Sequence, residues 1–598
     1  MRRLQFCLNV FILVSATQAL TMVPLAAAGP QLVNTNTGAV NAAAATKTDK
    51  QRVIVRVKPS GYAQFRRDVR AQGYLKREHQ SLSAVTLELP QQALAGVARN
   101  PAVLSISSDA LVAGSQAPEP SGNASTNSTA SAPQLRSVLG LDNFAPLGNG
   151  VGVAVIDSGI HPSPDFANRI SAFFDFTNGA ATAAAPSDDF GHGTHVAGLI
   201  AASGGLSGGA FQGVAPAAHL VGLKVLGNAG QGYTSDVLAA IEFAVANKDA
   251  LGIDVINLSL GHPIFEPAAT DPLVLAVEFA SRQGVVVVVS AGNVGINPQT
   301  GQTGYAGITS PGNAPSAITV GSQMTFNTLS RWDDRVGRYS SRGPTWYDLS
   351  AKPDVVAPGH RLTSLIPPAS TLATQHPELV VAATGAADMH MMLTGTSMAA
   401  AVTSGMVAVM LEANRLMANA GAPDLTPNAV KAVLQFTATP LYDENYMPYD
   451  MLVQGTGAVN GHGSVALVSA IDTTAEVGAA WLRNSVMPYT FLYSYDPDTG
   501  GYYFGDYWMW SQQVLWGHNI VWSEAMFSNQ AAWASNIVWS ENIVWSENIV
   551  WSENIVWSEN IVWSENIVWS ENIVWSENIV WSENIVWSES LRVLTAQD

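Results

Sequence analysis

Four residues, Asp157, His192, Asn293 and Ser397, are of the types that activate a hydroxyl for attack on a carbonyl, and each stands at a predicted strand end or helix start. Asp157 follows a strand in Val155-Ile156-Asp157-Ser158-Gly159-Ile160. His192 lies in Asp189-Phe190-Gly191-His192-Gly193-Thr194-His195, Asn293 ends Ser290-Ala291-Gly292-Asn293, and Ser397 opens an apolar helix in Gly395-Thr396-Ser397-Met398-Ala399-Ala400. A serine hydroxyl is a weak nucleophile until a neutral imidazole takes its proton, and a carboxylate holds that imidazole's tautomer and orientation. An amide side chain aimed at a developing oxyanion supplies further charge stabilisation. Taken alone, Ser397 fits a plain helix start equally well. The three upstream groups, in their order, are what point to nucleophilic chemistry.

The elements that must carry these residues alternate as strand, loop and helix between about 135 and 470. Gly152–Ile156, Leu220–Val225, Val255–Leu258 and Val285–Val289 are continuous apolar runs with no period-two polar positions. Such runs predict strands covered on both faces, hence a three-layer, doubly wound, mostly parallel α/β sheet. Helices are expected at Gly193–Ala202, Thr234–Asn247, Pro272–Gln283, Ser397–Asn419 and Pro427–Thr437. In open α/β sheets the working crevice lies beyond the carboxyl ends of the strands, and Asp157 and Asn293 fall there.

On these strings, together with Lys224-Val225-Leu226-Gly227, Tyr339-Ser340-Ser341-Arg342-Gly343-Pro344 and Lys352-Pro353-Asp354-Val355-Val356-Ala357-Pro358-Gly359, the chain resembles the subtilisin-like serine proteases, the subtilases, over roughly 135–465. The order Asp, His, Ser is the one that family uses. The resemblance implies a serine-type endopeptidase acting on protein or peptide substrates through an acyl-enzyme, with Ser397 as nucleophile, His192 as general base and Asp157 as its orienting partner. Asn293 would be the oxyanion donor. Gly230-Gln231-Gly232 and Ser259-Leu260-Gly261 match the two segments that pair with an extended substrate, so Gly230, Gly232, Ser259, Leu260 and Gly261 are the expected substrate contacts. No carboxylate stands near Thr309, where the primary specificity pocket would close, so a preference for Lys or Arg is not expected. The acid-acting relatives, which carry Glu and Asp in place of the histidine and the asparagine, are excluded by His192 and Asn293. His195 reads as a structural histidine. Departures include Ala401 and Val402, where the family has proline and histidine, and a longer connection over 360–394. The chemistry requires no cofactor. Structural calcium is raised by Asp165, but the partner loop Ser203–Gly209 lacks the Asn-rich side chains such a site uses, so no metal ligand is assigned.

Residues 1–28 read as a secretory leader: Arg2 and Arg3, an apolar stretch, then Ala26-Ala27-Ala28. It holds the chain's one cysteine, Cys7, so no disulfide framework is expected. The expected location is secreted or at the cell surface, with no later membrane span. Residues 29–50 read as a flexible segment. Residues 51–114 show a βαββαβ pattern, and by the resemblance this is a ferredoxin-like propeptide that aids folding and blocks the active site. The Ser-, Asn- and Pro-rich stretch 115–134 is a linker. Net charge is −18 over 598 residues. Residues 51–110 hold nine Lys/Arg against four Asp/Glu, a balance of +5 that leaves −23 for the remainder and suits docking by opposite charge. An acidic chain of this kind is not built for nucleic acid.

After a Tyr- and Trp-rich adaptor at 471–535, the hexad Asn-Ile-Val-Trp-Ser-Glu recurs nine times over 536–589, before a short tail at 590–598. A six-residue step turns a helix by roughly 240°, which leaves no continuous apolar stripe, whereas an even period keeps each side chain on one face of a strand. The tract therefore reads as extended. It could wind as a β-solenoid, or remain a disordered or self-associating tract that binds a surface partner. A surface adhesion or binding protein, with the α/β domain as scaffold, is the alternative to an enzyme.

Overall fold

The computed structural model describes residues 50–516 apart from 115–133, 143, 298–299, 382–388, 420, 476–481, 484–485 and 497–500. Beyond these it describes the short strands Asn519–Trp522, Ile543–Val544, Ile561–Val562 and Ile579–Val580. The expected leader, nearly all of the flexible segment and linker, most of the repeat and the C-terminal tail lie outside the described residues.

Residues 50–114 fold as the pattern predicts. Two helices, Pro59–Ala71 and Gln91–Ala98, lie with a four-stranded antiparallel sheet of order Leu75–His79, Ala84–Pro90, Lys50–Val57, Val103–Ser108. Alternation divides the strand Lys50–Val57 between two cores. Val53, Val55 and Val57 pack with Phe65 and Val69 of the first helix, while Ile54 joins the core of the large domain. The small domain is thus built to present one sheet face to its own helices and the other to a neighbour.

In the large domain a nine-stranded sheet runs Arg335–Val336, Ile318–Met324, Val286–Ser290, Ile253–Leu258, Gly152–Asp157, His219–Lys224, Ile170–Asp175, Thr182–Ala183, with Val355–Pro358 also pairing with Ile318–Met324. All pairings are parallel except those of the two-residue strands Thr182–Ala183 and Arg335–Val336. Val153 and Val155 enter one core and Ala154 and Ile156 the other, which is why these strands carry no polar alternation. The helices His192–Ala201 and Thr396–Met417 contribute to the first core, and Thr234–Ala246 and Pro272–Arg282 to the second. The 22-residue helix Thr396–Met417 is apolar enough to cross a membrane, but 94% of that apolar window is buried inside the fold, as expected of a core helix.

The core does not stop at 470. Trp510 and Val514, from the stretch read as an adaptor, belong to it, and the Trp510 indole donates to Thr490 Oγ1 at 2.7 Å. In the repeat, Ile543–Val544, Ile561–Val562 and Ile579–Val580 pair in parallel and in register. Each step is 18 residues, or three hexads.

Candidate active site

Asp157 ends the strand Gly152–Asp157, and His192 is the first residue of its helix, so strand and helix bring the two side chains together. His192 Nδ1 lies 2.8 and 3.0 Å from Asp157 Oδ1 and Oδ2, with both side chains fully buried. Asp157 Oδ1 also accepts from the backbone N–H of Ser158 at 2.7 Å, which fixes the carboxylate. Burial alone would lower the His192 pKa. The charge and hydrogen bond of Asp157, with the charge of Asp188, outweigh it and hold the value above that of an ordinary histidine. Asp188 escaped notice in the sequence. Its carboxylate accepts from the backbone N–H of Gly191 and Thr194, both at 2.8 Å, and from the Thr194 hydroxyl at 2.7 Å, so it anchors the start of the helix that carries His192.

Ser397 lies in the first turn of the helix Thr396–Met417. Its hydroxyl donates to the carbonyl of Ser259 at 3.0 Å, and His192 Nε2 has no hydrogen-bond partner among the described residues. The Asp157–His192 contact is thus formed, and the Ser397 hydroxyl donates to a backbone carbonyl. Behind Ser397 runs a polar chain. The Ser404 hydroxyl donates to Asn257 Oδ1, Asn257 Nδ2 donates to Ser259 Oγ, and the Ser259 hydroxyl donates to the Ser397 carbonyl, at 2.9, 3.0 and 2.9 Å. Asn293 Oδ1 accepts from the backbone N–H and the hydroxyl of Thr396 at 3.0 and 3.2 Å. Those two bonds orient the amide, and its buried Nδ2 has no hydrogen-bond partner among the described residues.

His195 is fully buried, one turn along the helix from His192. Its Nε2 lies 3.0 Å from the Met391 carbonyl and 3.1 Å from the Leu362 carbonyl, both in the long 360–394 connection. Burial, and then the neighbouring His192, push its pKa down to about 3. The imidazole is therefore neutral and serves as a tie between the connection and the catalytic-site helix.

The two expected substrate segments are already occupied. The strand Leu111–Gly114 of the small domain lies between Gln231–Tyr233 and Leu260–Pro263, antiparallel to both. Gly232 stands opposite Val112, Leu260 opposite Gly114, and Gly261 opposite Ala113. Gly230 accepts through its carbonyl from the backbone N–H of Gly114 at 3.3 Å. The glycines here serve the domain's own packing as well: a Cβ on Gly232 would meet the Val225 carbonyl oxygen at 2.2 Å, and one on Gly261 would meet that of Ser310 at 2.5 Å. Polar contacts hold the small domain down. Arg77 pairs with Asp236 at 2.9 Å, both nearly buried, and His79 Nδ1 lies 3.1 Å from Glu242. Asp109 accepts from the backbone N–H and hydroxyl of Ser235 at 2.8 and 2.9 Å, at the start of the helix Thr234–Ala246. Of the Lys and Arg in 51–110, Arg77 forms an ion pair with an acidic residue of the large domain, Asp236; the anchoring role of Asp109 could not be read from local sequence because it spans 126 residues.

The calcium expectation rests on Asp165. Its Oδ1 accepts from the Ser203 hydroxyl at 2.9 Å and from the Leu206 backbone N–H at 3.0 Å, and only Oδ2 is left without a partner. The loop turns an N–H toward the carboxylate where a calcium shell needs oxygens, so these residues do not fit the ion as they stand. Among the described residues no group of three His, Cys, Asp or Glu side chains could hold a metal.

On a doubly wound α/β sheet the structure joins a strand-borne carboxylate to a helix-borne histidine, and ties a serine at a helix start and a buried asparagine amide to neighbouring segments. The model of the subtilase family matches residues 148–462, more than half of the chain, and the chain belongs to that family. It is 40% identical to the serine protease AprX of Bacillus subtilis over 323 residues, which is 53% of this chain and 66% of that protein. A subtilisin of a Bacillus species is 39% identical over 204 residues, 34% of this chain and 45% of that protein. The chain therefore spans only about half to two thirds of the length of these two relatives. Subtilisin Savinase of Lederbergia lenta is 33% identical over 319 residues, 53% of this chain and 91% of that protein. Fervidolysin of Fervidobacterium pennivorans, described as a keratinolytic enzyme related to subtilisin, shares the fold with a TM-score of 0.52 at 22% identity, covering 70% of this chain and 61% of that one.

Proposed function

We propose that this chain is an exported serine endopeptidase, made as a zymogen whose residues 51–114 inhibit it until it cuts itself. The observation that carries the reading is the strand Leu111–Gly114, laid between the two cleft strands with Gly114 against the ring of His192. An extended segment paired on both sides is held as a substrate backbone would be. In the reaction, Ser397 Oγ turns from the Ser259 carbonyl, attacks the peptide carbonyl carbon, and gives its proton to His192 Nε2. Asn293 Nδ2 and the backbone N–H of Ser397, favoured by its place at a helix start, hold the oxyanion. Collapse of the intermediate expels the amine, which takes the proton from His192, and water releases the acyl group by the same steps. Asp157 keeps the imidazole oriented throughout. No metal or cofactor enters these steps. Substrates are proteins or peptides, and the leader directs export. The adhesion alternative gains no support from the relatives.

The test is mass spectrometry of the purified wild-type chain beside Ser397→Ala, with labelling by a fluorophosphonate that reacts only with an activated serine. The wild type is expected to lose its N-terminal part through a cut shortly after Gly114 and to take the label, while the variant does neither. A wild type that stays uncut and unlabelled, even after the small domain is removed by another protease, overturns the reading.

A further inference from the structure

Away from the catalytic residues, three ionisable side chains share one dry site. Lys352, Asp354 and Lys431 are each 1% exposed. Asp354 immediately precedes the strand Val355–Pro358, and Lys431 stands on the helix Pro427–Thr437. Two amines thus face one carboxylate, and burying a charge that has no partner of its own is costly. Counting donors and acceptors shows how the cluster avoids that cost. Asp354 Oδ1 lies 3.0 Å from Lys431 Nζ and accepts from Gln435 Nε2 at 3.0 Å, while Oδ2 accepts from Lys352 Nζ and from the backbone N–H of Thr319, both at 2.8 Å. Four donors fill the roughly four acceptor positions of an ionised carboxylate and leave no room for a proton. Lys431 Nζ also donates to the carbonyls of Pro315 and Ala317 at 2.6 and 3.1 Å, so three oxygens meet the three N–H of an ammonium. Among the described residues Lys352 Nζ donates to two acceptors, Asp354 and the Ala317 carbonyl at 3.1 Å. Two N–H are what a neutral amine supplies.

We infer that Lys352, Asp354 and Lys431 form a proton-release latch: the folded domain holds Lys352 as a neutral amine beside an Asp354–Lys431 ion pair, and a proton returned to Lys352 loosens the cluster. That proton would add a third N–H with no oxygen to receive it, next to the like charge of Lys431. Burial drives the pKa of Lys352 down, the charge of Asp354 pulls it back up, and Lys431 pushes it down again, to about 7. Asp354 and Lys431 are the charged groups that act on it. The latch joins three elements, since Asp354 adjoins one strand, Thr319 lies on its neighbour Ile318–Met324, and Lys431 and Gln435 come from the helix. Its effect on stability has a definite sign. Between pH 7 and 10.5 the folded Lys352 is neutral while the unfolded side chain keeps its proton, so the unfolded state binds more protons. Stability therefore rises through that window, the unfolding constant falling by up to about tenfold per pH unit. Below pH 7 both states carry the proton and the rise is absent. None of this depends on the protease reading.

The experiment uses the full-length Ser397→Ala chain, which cannot digest itself, alone and with Lys352→Met or Lys431→Met added. Urea denaturation between about pH 7.5 and 9.5 is expected to show the unfolding constant of the parent falling more steeply than that of the Lys352→Met chain, by about tenfold per pH unit. Carbon-13 NMR of chains labelled at lysine Cε reads the amine directly, and stays decisive if Lys352→Met does not fold. One lysine signal of the parent is expected to move between about pH 6 and 8, the range around the Lys352 value. In Lys431→Met that signal should keep its charged position to about pH 9, because Asp354 then has a single amine to pair with. Equal pH slopes in the parent and the Lys352→Met chain overturn the inference. So does a parent in which no lysine signal moves below about pH 9, or a signal that still moves near pH 7 when Lys431 is gone, which would leave burial and not the shared carboxylate in control.

Discussion

At Ser397 the hydroxyl rests on the carbonyl of Ser259, so the proton that must reach His192 Nε2 is parked on a spectator. On the proposed mechanism the Ser397 hydroxyl must leave that carbonyl, while the Asp157–His192 contact is already formed between the strand and the helix. Ser397→Ala is expected to remove activity by about a millionfold, the scale measured on a relative in this family. Asn293→Ala is expected to lower kcat by about 100- to 1,000-fold, again a magnitude from a relative, with little change in KM, because Nδ2 meets only the oxyanion. The pH profile follows from the sign of one shift. His192 must be neutral to accept a proton, and its pKa is raised above the ordinary 6.5. The acid limb of kcat/KM should therefore lie above pH 6.5, with activity lost as pH falls through it. Asp157→Asn removes the charge that raises the pKa and should move that limb downward, on top of a loss of about 10⁴-fold. A limb below pH 6 in the wild type would show that burial, and not Asp157, governs the histidine.

Among the elements, the helix His192–Ala201 is fastened at two points: Asp188 holds its first turn, and His195 ties it to the carbonyls of Leu362 and Met391. The tie sets a stability window. The folded His195 refuses a proton until about pH 3, whereas the unfolded side chain takes one near 6.5. Its stabilising contribution is thus complete above pH 6.5 and is lost as pH falls toward 3, at up to about 1.4 kcal/mol per pH unit. Urea denaturation of the Ser397→Ala protein between pH 7 and 4 should show this slope, and a His195→Gln version should flatten part of it; equal slopes in the two would remove His195 from the account. The elements themselves were largely legible. Continuous apolar runs marked four of the parallel strands but not Ile170–Asp175, Ile318–Met324 or Val355–Pro358, and helix starts fell within a residue or so of those expected, because where both faces of the sheet are dry local pattern and tertiary burial agree. Legibility failed where the cause is a distant partner. Asp188 looks like any loop acid until the turn brings it under the helix, and nothing in the Tyr- and Trp-rich stretch reveals that Trp510 enters the main core. The resting direction of the Ser397 hydroxyl is a side-chain rotation, which residue order does not encode.

For the molecule as a whole, three sets of contacts join the small domain to the large one: the strand in the cleft, the polar patch of Arg77, His79 and Asp109, and the apolar contact of Ile54 and Ala84 with the second core. Arg77 and Asp236 are both nearly buried, so removing one leaves the other charge desolvated and unpaired. Arg77→Ala in an isolated small domain, added to mature enzyme, is expected to raise its inhibition constant by at least tenfold, whereas Lys76→Ala, at an exposed pair with Glu88, should change it by less than twofold. Equal constants for the two variants would assign the hold to the strand and the apolar contact of Ile54 and Ala84. That strand has a kinetic consequence. On the proposed zymogen reading, a segment covalently joined to the cleft it fills is cut without diffusing to its catalyst, at an effective concentration on the order of millimolar whatever the volume around it. The half-time of that first cut should be unchanged across a thousandfold dilution. Once the bond is broken the same segment is a ligand like any other, subject to mass action. On that reading the first cut is expected to be indifferent to crowding, and release of the segment to be governed by it.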